Sequence, residues 1–222
     1  MTVDYNDFAH TFARSREKLK WPEIFYLLDF LSPDTWIIDI ACGSWRLIQA
    51  YKEHFDSNPH YYYWIDASEK LLQEAYVSYP WFIFLTWNME KWESYTQIPK
   101  IYKNVQKCIF CIAGFHHIIN IEDRIRTLWY WYDLLEVWER VYITNWALES
   151  PRNINVYKEG LIQNSENEFW SHDFSIKIWK YDRWYHSFTL AELDYLAKAS
   201  QFRIVKNQLF STEKNYITIL EK

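Results

Sequence analysis

Apolar positions along this chain follow two spacings in turn: short unbroken runs, and stripes at helical period. Residues 36–40, 61–65, 81–86, 107–113 and 140–145 are apolar runs rich in β-branched and aromatic side chains, the pattern of buried strands. Between them the period lengthens. Leu47, Ile48, Tyr51 and Phe55 share one face of a helix over 45–55. Leu71, Leu72, Ala75 and Tyr76 do so in a helix that Ser68 caps and that runs to Tyr79. The pattern also predicts a helix over 121–135. Residues 1–32 read as a helical region, with one helix over 7–19 and a second from Pro22, at its first turn, to Leu31. Thr189, with Glu192 three residues on, forms a capping-box pattern for a helix over 190–200. Residues 202–209 and 215–220 read as a closing antiparallel pair. Residues 147–188 show no clear period and are read as an insertion over the substrate side. The whole predicts one α/β domain over 1–222, a doubly wound, mostly parallel seven-stranded sheet of Rossmann-like type. Helices cover both of its faces, and its last strand is antiparallel.

Composition changes that picture at one point. The 222 residues include only 3 glycines but 14 tryptophans, where glycine ordinarily supplies about 7% of a globular chain. The excess falls in informative places. In Asp39-Ile40-Ala41-Cys42-Gly43-Ser44-Trp45-Arg46-Leu47 and in Trp64-Ile65-Asp66-Ala67-Ser68, glycine at Trp45 and Trp64 would give a glycine-rich cofactor loop and a strand ending in an acid. Both facts follow if the gene is read with a code in which a stop-type codon means tryptophan, while its own cell reads that codon as glycine. The alternative is a genuinely tryptophan-rich chain.

Charge and cysteine content narrow the classes. A formal charge of −5 gives no broad basic surface for nucleic acid. Three cysteines make no disulfide framework, and Cys108 and Cys111, three apart on one strand, face opposite sides, so no metal site is expected. The N-terminal residues lack the basic and apolar regions of a signal peptide, and no apolar run of membrane-spanning length occurs. A cytoplasmic chain without membrane attachment is expected.

Candidate chemistry lies at the carboxyl ends of the strands, where ligands of doubly wound sheets bind. Gly43 brings bare backbone close to a ligand, and the following helix offers free N–H groups to an anion. Asp66 ends the second strand and can accept hydrogen bonds from both hydroxyls of a ribose. Asn88 and Met89 follow the third strand, placed to touch a purine edge and face. Gly114-Phe115-His116-His117 follows the fourth, and at least one histidine is expected to line a cleft.

These features resemble the class I S-adenosylmethionine-dependent methyltransferases over residues 21–222. Several motifs, in order along the chain, resemble a subgroup, the wobble-uridine carboxymethyl tRNA methyltransferases. They are Ser15-Arg16 with Trp21-Pro22, the cofactor loop, and Phe115-His116-His117 with Glu122-Asp123-Arg124. Thr144-Asn145-Trp146-Ala147 follows, and then Arg183-Trp184-Tyr185-His186-Ser187-Phe188, similar to the family's Arg-Tyr-Tyr-His-x-Phe. The resemblance sorts the tryptophans: Trp21 and Trp146 match family tryptophans, whereas Trp45, Trp64 and Trp138 stand at family glycines. Trp36, Trp87, Trp170 and Trp179 lean towards glycine, and Trp184 replaces a family aromatic. Ala41 replaces the loop's first glycine, and Asn88 stands where an acid is commoner.

The resemblance implies S-adenosylmethionine as cofactor, held by Asp39, Ala41, Gly43 and Asp66, with Ala67, Asn88, Met89 and Ala113 beside them. It assigns carboxylate or phosphate positioning to Arg16, Arg124 and Arg183, with a structural ion pair as the equal alternative for each. His117 lines the reaction cleft, Trp146 stacks on the target base or the sulfonium, and Tyr185 and His186 close the pocket. Three functions follow: methylation of a carboxylate on a tRNA wobble uridine in the anticodon loop, methylation of a small molecule, or a non-catalytic interaction module. In the first, a helper subunit could supply the missing RNA-binding surface. In the third, Trp45 is genuine, and its indole projects towards the cofactor's amino-acid end and excludes the ligand.

Overall fold

The computed structural model describes residues 5–16, 20–43, 45–99 and 105–222. Seven strands form one sheet: β1 (Trp36–Ile40), β2 (Tyr62–Asp66), β3 (Ile83–Thr86), β4 (Lys107–Ile112), β5 (Arg140–Trp146), β8 (Arg203–Leu209) and β9 (Asn215–Glu221). Their order is β3-β2-β1-β4-β5-β9-β8, with β1 to β5 parallel and β9 antiparallel to both its neighbours. The helices are α1 (Ala9–Arg16), α2 (Pro22–Leu28), α3 (Arg46–Phe55), α4 (Glu69–Ser78), α5 (Ile121–Leu134), α6 (Ile154–Tyr157) and α7 (Leu190–Ala199). The predicted 147–188 insertion contains α6 and a separate hairpin of β6 (His172–Ile178) and β7 (Tyr181–Ser187).

Burial on both faces explains the apolar runs of β1 and β4, every residue of which is buried, whereas β3, at the edge of the sheet, is half-buried or exposed. Cys108 joins the core layer that holds α3, and Cys111 the layer that holds α5, as their spacing requires. Ser68 caps α4 by accepting from the Leu71 N–H at 3.3 Å. Thr189 caps α7 in the same way, accepting from the Glu192 N–H at 3.2 Å. The reciprocal half of the predicted capping box is not made. Glu192 turns inward to Arg124 and His186, and the Thr189 N–H donates instead to Ser171 Oγ at 3.1 Å. The N-terminal helix starts later than its pattern predicts, after a 3₁₀ turn over Tyr5–Asp7, and residues 17–19 of the predicted span lie outside the described residues.

The crossing between β1 and β4 is where strand order reverses. The connections leaving β1, β2, β3 and β4 converge there, and the β6–β7 hairpin and residues 5–12 close over the same end.

Candidate functional site

A cavity of about 420 Å³ opens at these strand ends. Its first half is built from the β1, β2 and β3 connections. Gly43, at φ +62°, turns the loop so that its N–H donates to Asp66 Oδ2 at 2.8 Å, while the Ser68 N–H donates to Oδ1 at 2.8 Å. Burial raises the Asp66 carboxyl, and the N–H groups of Ser68, Gly43 and Ala67 work against that rise. Asp39 is buried, takes the Tyr62 hydroxyl on Oδ2 at 2.6 Å, and keeps Oδ1 buried with no partner among the described residues. Burial pushes its carboxyl up to about 7. Ala41 and Ala113, at φ +54° and +55°, bring the ends of β1 and β4 together. Gly114 is needed there because a Cβ on it would lie 2.4 Å from Ala41 Cβ.

The second half comes from β4, β5 and the hairpin. His116 is buried and accepts the Trp146 N–H on Nδ1 at 3.2 Å, so its ring proton sits on Nε2, which is buried without a partner among the described residues. Burial, then the neighbouring His117 and His186, drives its pKa well below the ordinary value, so it stays neutral. His117 Nδ1 faces the Trp184 carbonyl at 2.9 Å, and its Nε2 lies 3.2 Å from the Tyr5 hydroxyl. Burial lowers it to about 4. Arg183 is buried, and its Nε and Nη1 have no partner among the described residues. Its Nη2 donates to the Tyr5 hydroxyl, and aromatic rings of Tyr5, Tyr185 and Phe12 lie 4.7, 5.2 and 5.6 Å from the guanidinium. No carboxylate pairs with it among the described residues.

Comparison with solved structures places this architecture. An S-adenosylmethionine-dependent methyltransferase from Clostridium acetobutylicum superposes with a TM-score of 0.62, at 13% identity over 98% of each chain. One from Methanosarcina mazei gives 0.64 at 16% identity, over 91% of this chain and 98% of that one. DesVI from Streptomyces venezuelae gives 0.60 at 15% identity, over 100% and 99%. The chain has a class I methyltransferase fold. No protein-family model and no curated protein matches the chain in sequence, so the likeness is one of shape.

Within that methyltransferase fold the cavity gathers most of the residues that the sequence singled out. Asp39, Ala41, Gly43, Asp66, Ala67, Asn88, Met89 and Ala113 all line it, as do His117, Trp146 and Arg183. Asn88 holds its own turn, accepting the Glu90 N–H on Oδ1 at 2.8 Å. Trp146 stacks on Tyr185 at 4.9 Å and 11°, which leaves Tyr185 behind the wall rather than in it. The side chain of Arg16 lies outside the described residues.

Three expectations are corrected. His186 does not line the cavity: its two ring nitrogens meet Asp173 Oδ1 at 2.7 Å and Glu192 Oε2 at 2.8 Å, inside the protein. Arg124 is structural as well, buried and bonded to Glu192 Oε1 at 2.7 Å and to the carbonyls of Ile118 and Ile119. Trp45 does not project towards the ligand. It is 8% exposed, packed in the core layer of α3, and the cavity wall is made by Arg46 and Leu47. Burying an indole removes roughly 200 Å² from water, which favours the inward placement. The steric ground for a pseudoenzyme is therefore removed.

Sequence reasoning missed Tyr5 and Phe12, which reach the cavity from the N-terminus, and Glu90. The apolar spacing of residues 5–12 announced a helix, and nothing in it announced which end of the sheet that helix would cover.

Proposed function

We propose that this chain binds S-adenosylmethionine and methylates an anionic oxygen, with the carboxylate of a carboxymethyl group on a tRNA wobble uridine as the acceptor. The cofactor half fits the donor molecule. Asp39 Oδ1 is a buried acceptor with no partner, suited to an ammonium group. Asp66, at the end of β2, suits ribose hydroxyls, and the bare backbone of Gly43 allows close approach. Once bound, S-adenosylmethionine supplies an electrophilic methyl group on a sulfonium.

The observation that carries the acceptor class is that, among the described residues, the second half offers donors and no free base. Arg183 Nε and Nη1 and His116 Nε2 are N–H groups without partners. His117, the one remaining imidazole in the wall, has both nitrogens engaged. A neutral alcohol or an ammonium would have to lose a proton in a half that, among the described residues, holds no unengaged base, the carboxylates Asp39, Asp66 and Glu90 lying in the other half. A carboxylate is already ionised near neutral pH and needs only to be oriented and stripped of water. Alignment of that kind is worth about 7–11 kcal/mol in favourable intramolecular cases. The net charge of −5 favours a second reading, a small-molecule carboxylate in the same pocket.

Calorimetry with S-adenosylmethionine is the first test; no binding would end both enzyme readings. The second offers an RNA stem-loop with 5-carboxymethyluridine at the wobble position, and the free nucleoside, each with the methyl donor. Formation of a base-labile methyl ester is expected, and it should vanish in Arg183→Met. Ester formation on the nucleoside alone would select the small-molecule reading. Methylation of a neutral amine or hydroxyl, with neither carboxylate modified, would overturn the assignment.

A further inference from the structure

Arg183 and His117 share a hydrogen-bonding partner from the far end of the chain. The Nδ1 of His117 faces a carbonyl, which only accepts, so Nδ1 carries the proton and Nε2 the lone pair. The Tyr5 hydroxyl therefore donates to His117 Nε2 and accepts from Arg183 Nη2. A directed chain results: Arg183 to Tyr5, Tyr5 to His117, His117 to the Trp184 carbonyl. The Tyr5 ring packs 5.3 Å from both Phe8 and Phe12, which anchors it in the N-terminal segment. Among the described residues this hydroxyl is the guanidinium's hydrogen-bonding partner, and the other contacts of the guanidinium are ring faces, which set its plane but not its rotation within that plane.

We propose that Tyr5 is a positioning residue: its hydroxyl turns Arg183 so that Nε and Nη1 face the acceptor, and the acceptor half is complete only when the N-terminal segment lies across it. The proposal rests on Arg183 as the anion-binding group. The cofactor half does not depend on this hydroxyl, because Asp39, Gly43 and Asp66 are held by Tyr62 and by backbone N–H groups. Tyr5→Phe keeps the ring and removes only the hydroxyl. It should leave S-adenosylmethionine affinity unchanged while raising KM for the carboxymethyluridine stem-loop about tenfold, the scale of one lost hydrogen bond. Two nuclear magnetic resonance signals test the geometry without any acceptor. The nitrogen shift of His117 Nε2 should change, and the Arg183 Nε–H resonance should broaden as the side chain is released. If both signals are unchanged in Tyr5→Phe, the proposal is overturned, whatever the acceptor proves to be. An equal loss of cofactor affinity would also overturn it, by making Tyr5 a general support.

Three tryptophans carry a second inference on independent evidence. Backbone φ is +74° at Trp138, +61° at Trp170 and +56° at Trp179, the left-handed region that bulky residues avoid. They are 67%, 74% and 46% exposed, so core packing does not compensate. Each occupies the glycine position of a different turn. Trp138 is the third residue of a turn closed by the Glu139 N–H on the Glu136 carbonyl at 3.1 Å, where positive φ defines type II. Trp170 ends the three-residue loop between Asn167 and Ser171, the left-handed position of that loop type. Trp179 opens the two-residue loop between Ile178 and Tyr181 of the β6–β7 hairpin, where the favoured turns require positive φ.

We infer that these three positions are glycine in the protein its own cell makes. Trp131 is the internal contrast, buried with its indole N–H donating to the Tyr95 hydroxyl at 2.9 Å. The gene should use one stop-type codon at 138, 170 and 179, and a different codon at 131. Mass spectrometry of the native protein should find glycine at the three positions. One shared tryptophan codon at all four positions, or tryptophan masses in the native peptides, would overturn the inference.

Discussion

Burial holds the Asp39 carboxyl near neutrality, against the Tyr62 hydrogen bond, and Asp66 adds to the rise. The folded pKa of about 7 lies above the ordinary 3.8. The stability that Asp39 contributes is therefore fully present below 3.8 and is lost as pH rises through about 7. Cofactor binding has the opposite sign, because an ammonium beside Oδ1 favours the ionised form. Affinity for S-adenosylmethionine should rise with pH up to about 7 and then level off. At pH 6, calorimetry in buffers of different ionisation enthalpy should show release of about one proton on binding. Asp39→Asn should abolish that release and weaken binding. Backbone strain is a second effect at this scale. Ala41 stands where the resembling family has the loop's first glycine, and its φ of +54° places it where alanine is disfavoured. Ala41→Gly should stabilise the protein by about 1 kcal/mol, read as a higher denaturant midpoint at constant slope.

The β6–β7 hairpin stands on a buried network that no local pattern announced. Arg124 on α5, Glu192 on α7, His186 on β7 and Asp173 on β6 are joined by bonds of 2.7, 2.8 and 2.7 Å. Burial alone would raise Glu192, but His186, with help from Ser171 and Arg124, holds it below its ordinary 4.5. Its stabilising contribution is therefore present above 4.5 and is lost as pH falls through the lower folded value. Glu192→Gln leaves the Arg124 and His186 side chains buried without their shared anion. It should cost about 3 kcal/mol, the scale of breaking a buried pair, and should remove that acidic step from the pH dependence of Tm. In the sequence, Glu192 read as one half of a capping box and His186 as a pocket residue. The first reading assumed a local partner and the second came from the resemblance, whereas Glu192 bonds to Arg124, 68 residues away, and His186 to Asp173 and Glu192, 13 and 6 residues away. The strands were legible for the opposite reason: β1 and β4 are buried at every position, so their apolar runs needed no knowledge of their neighbours.

At the scale of the whole molecule, the proposed cofactor half could be read because each of its residues ends or follows a strand, and strand ends of a doubly wound sheet converge whatever the sequence between them. The acceptor half could be read only in pieces, since Tyr5, His116 and Arg183 meet through a hairpin and an N-terminal segment whose docking is tertiary. The same distinction separates the two acceptors. A tRNA would contact surface well beyond the cavity and release counterions from its backbone, giving an affinity that falls steeply with salt. A small carboxylate meets only the pocket, where one buried guanidinium is poorly screened. For a chain of net charge −5 acting alone on RNA, KM for the stem-loop should therefore rise at least about tenfold between 50 and 200 mM salt if several phosphates are engaged. A KM for the free nucleoside that stays flat over that range, at a value no worse than the stem-loop's, would place recognition entirely inside the cavity. A steep salt response that appears only after another protein is added would place the phosphate contacts on that partner, with the carboxylate still held by Arg183.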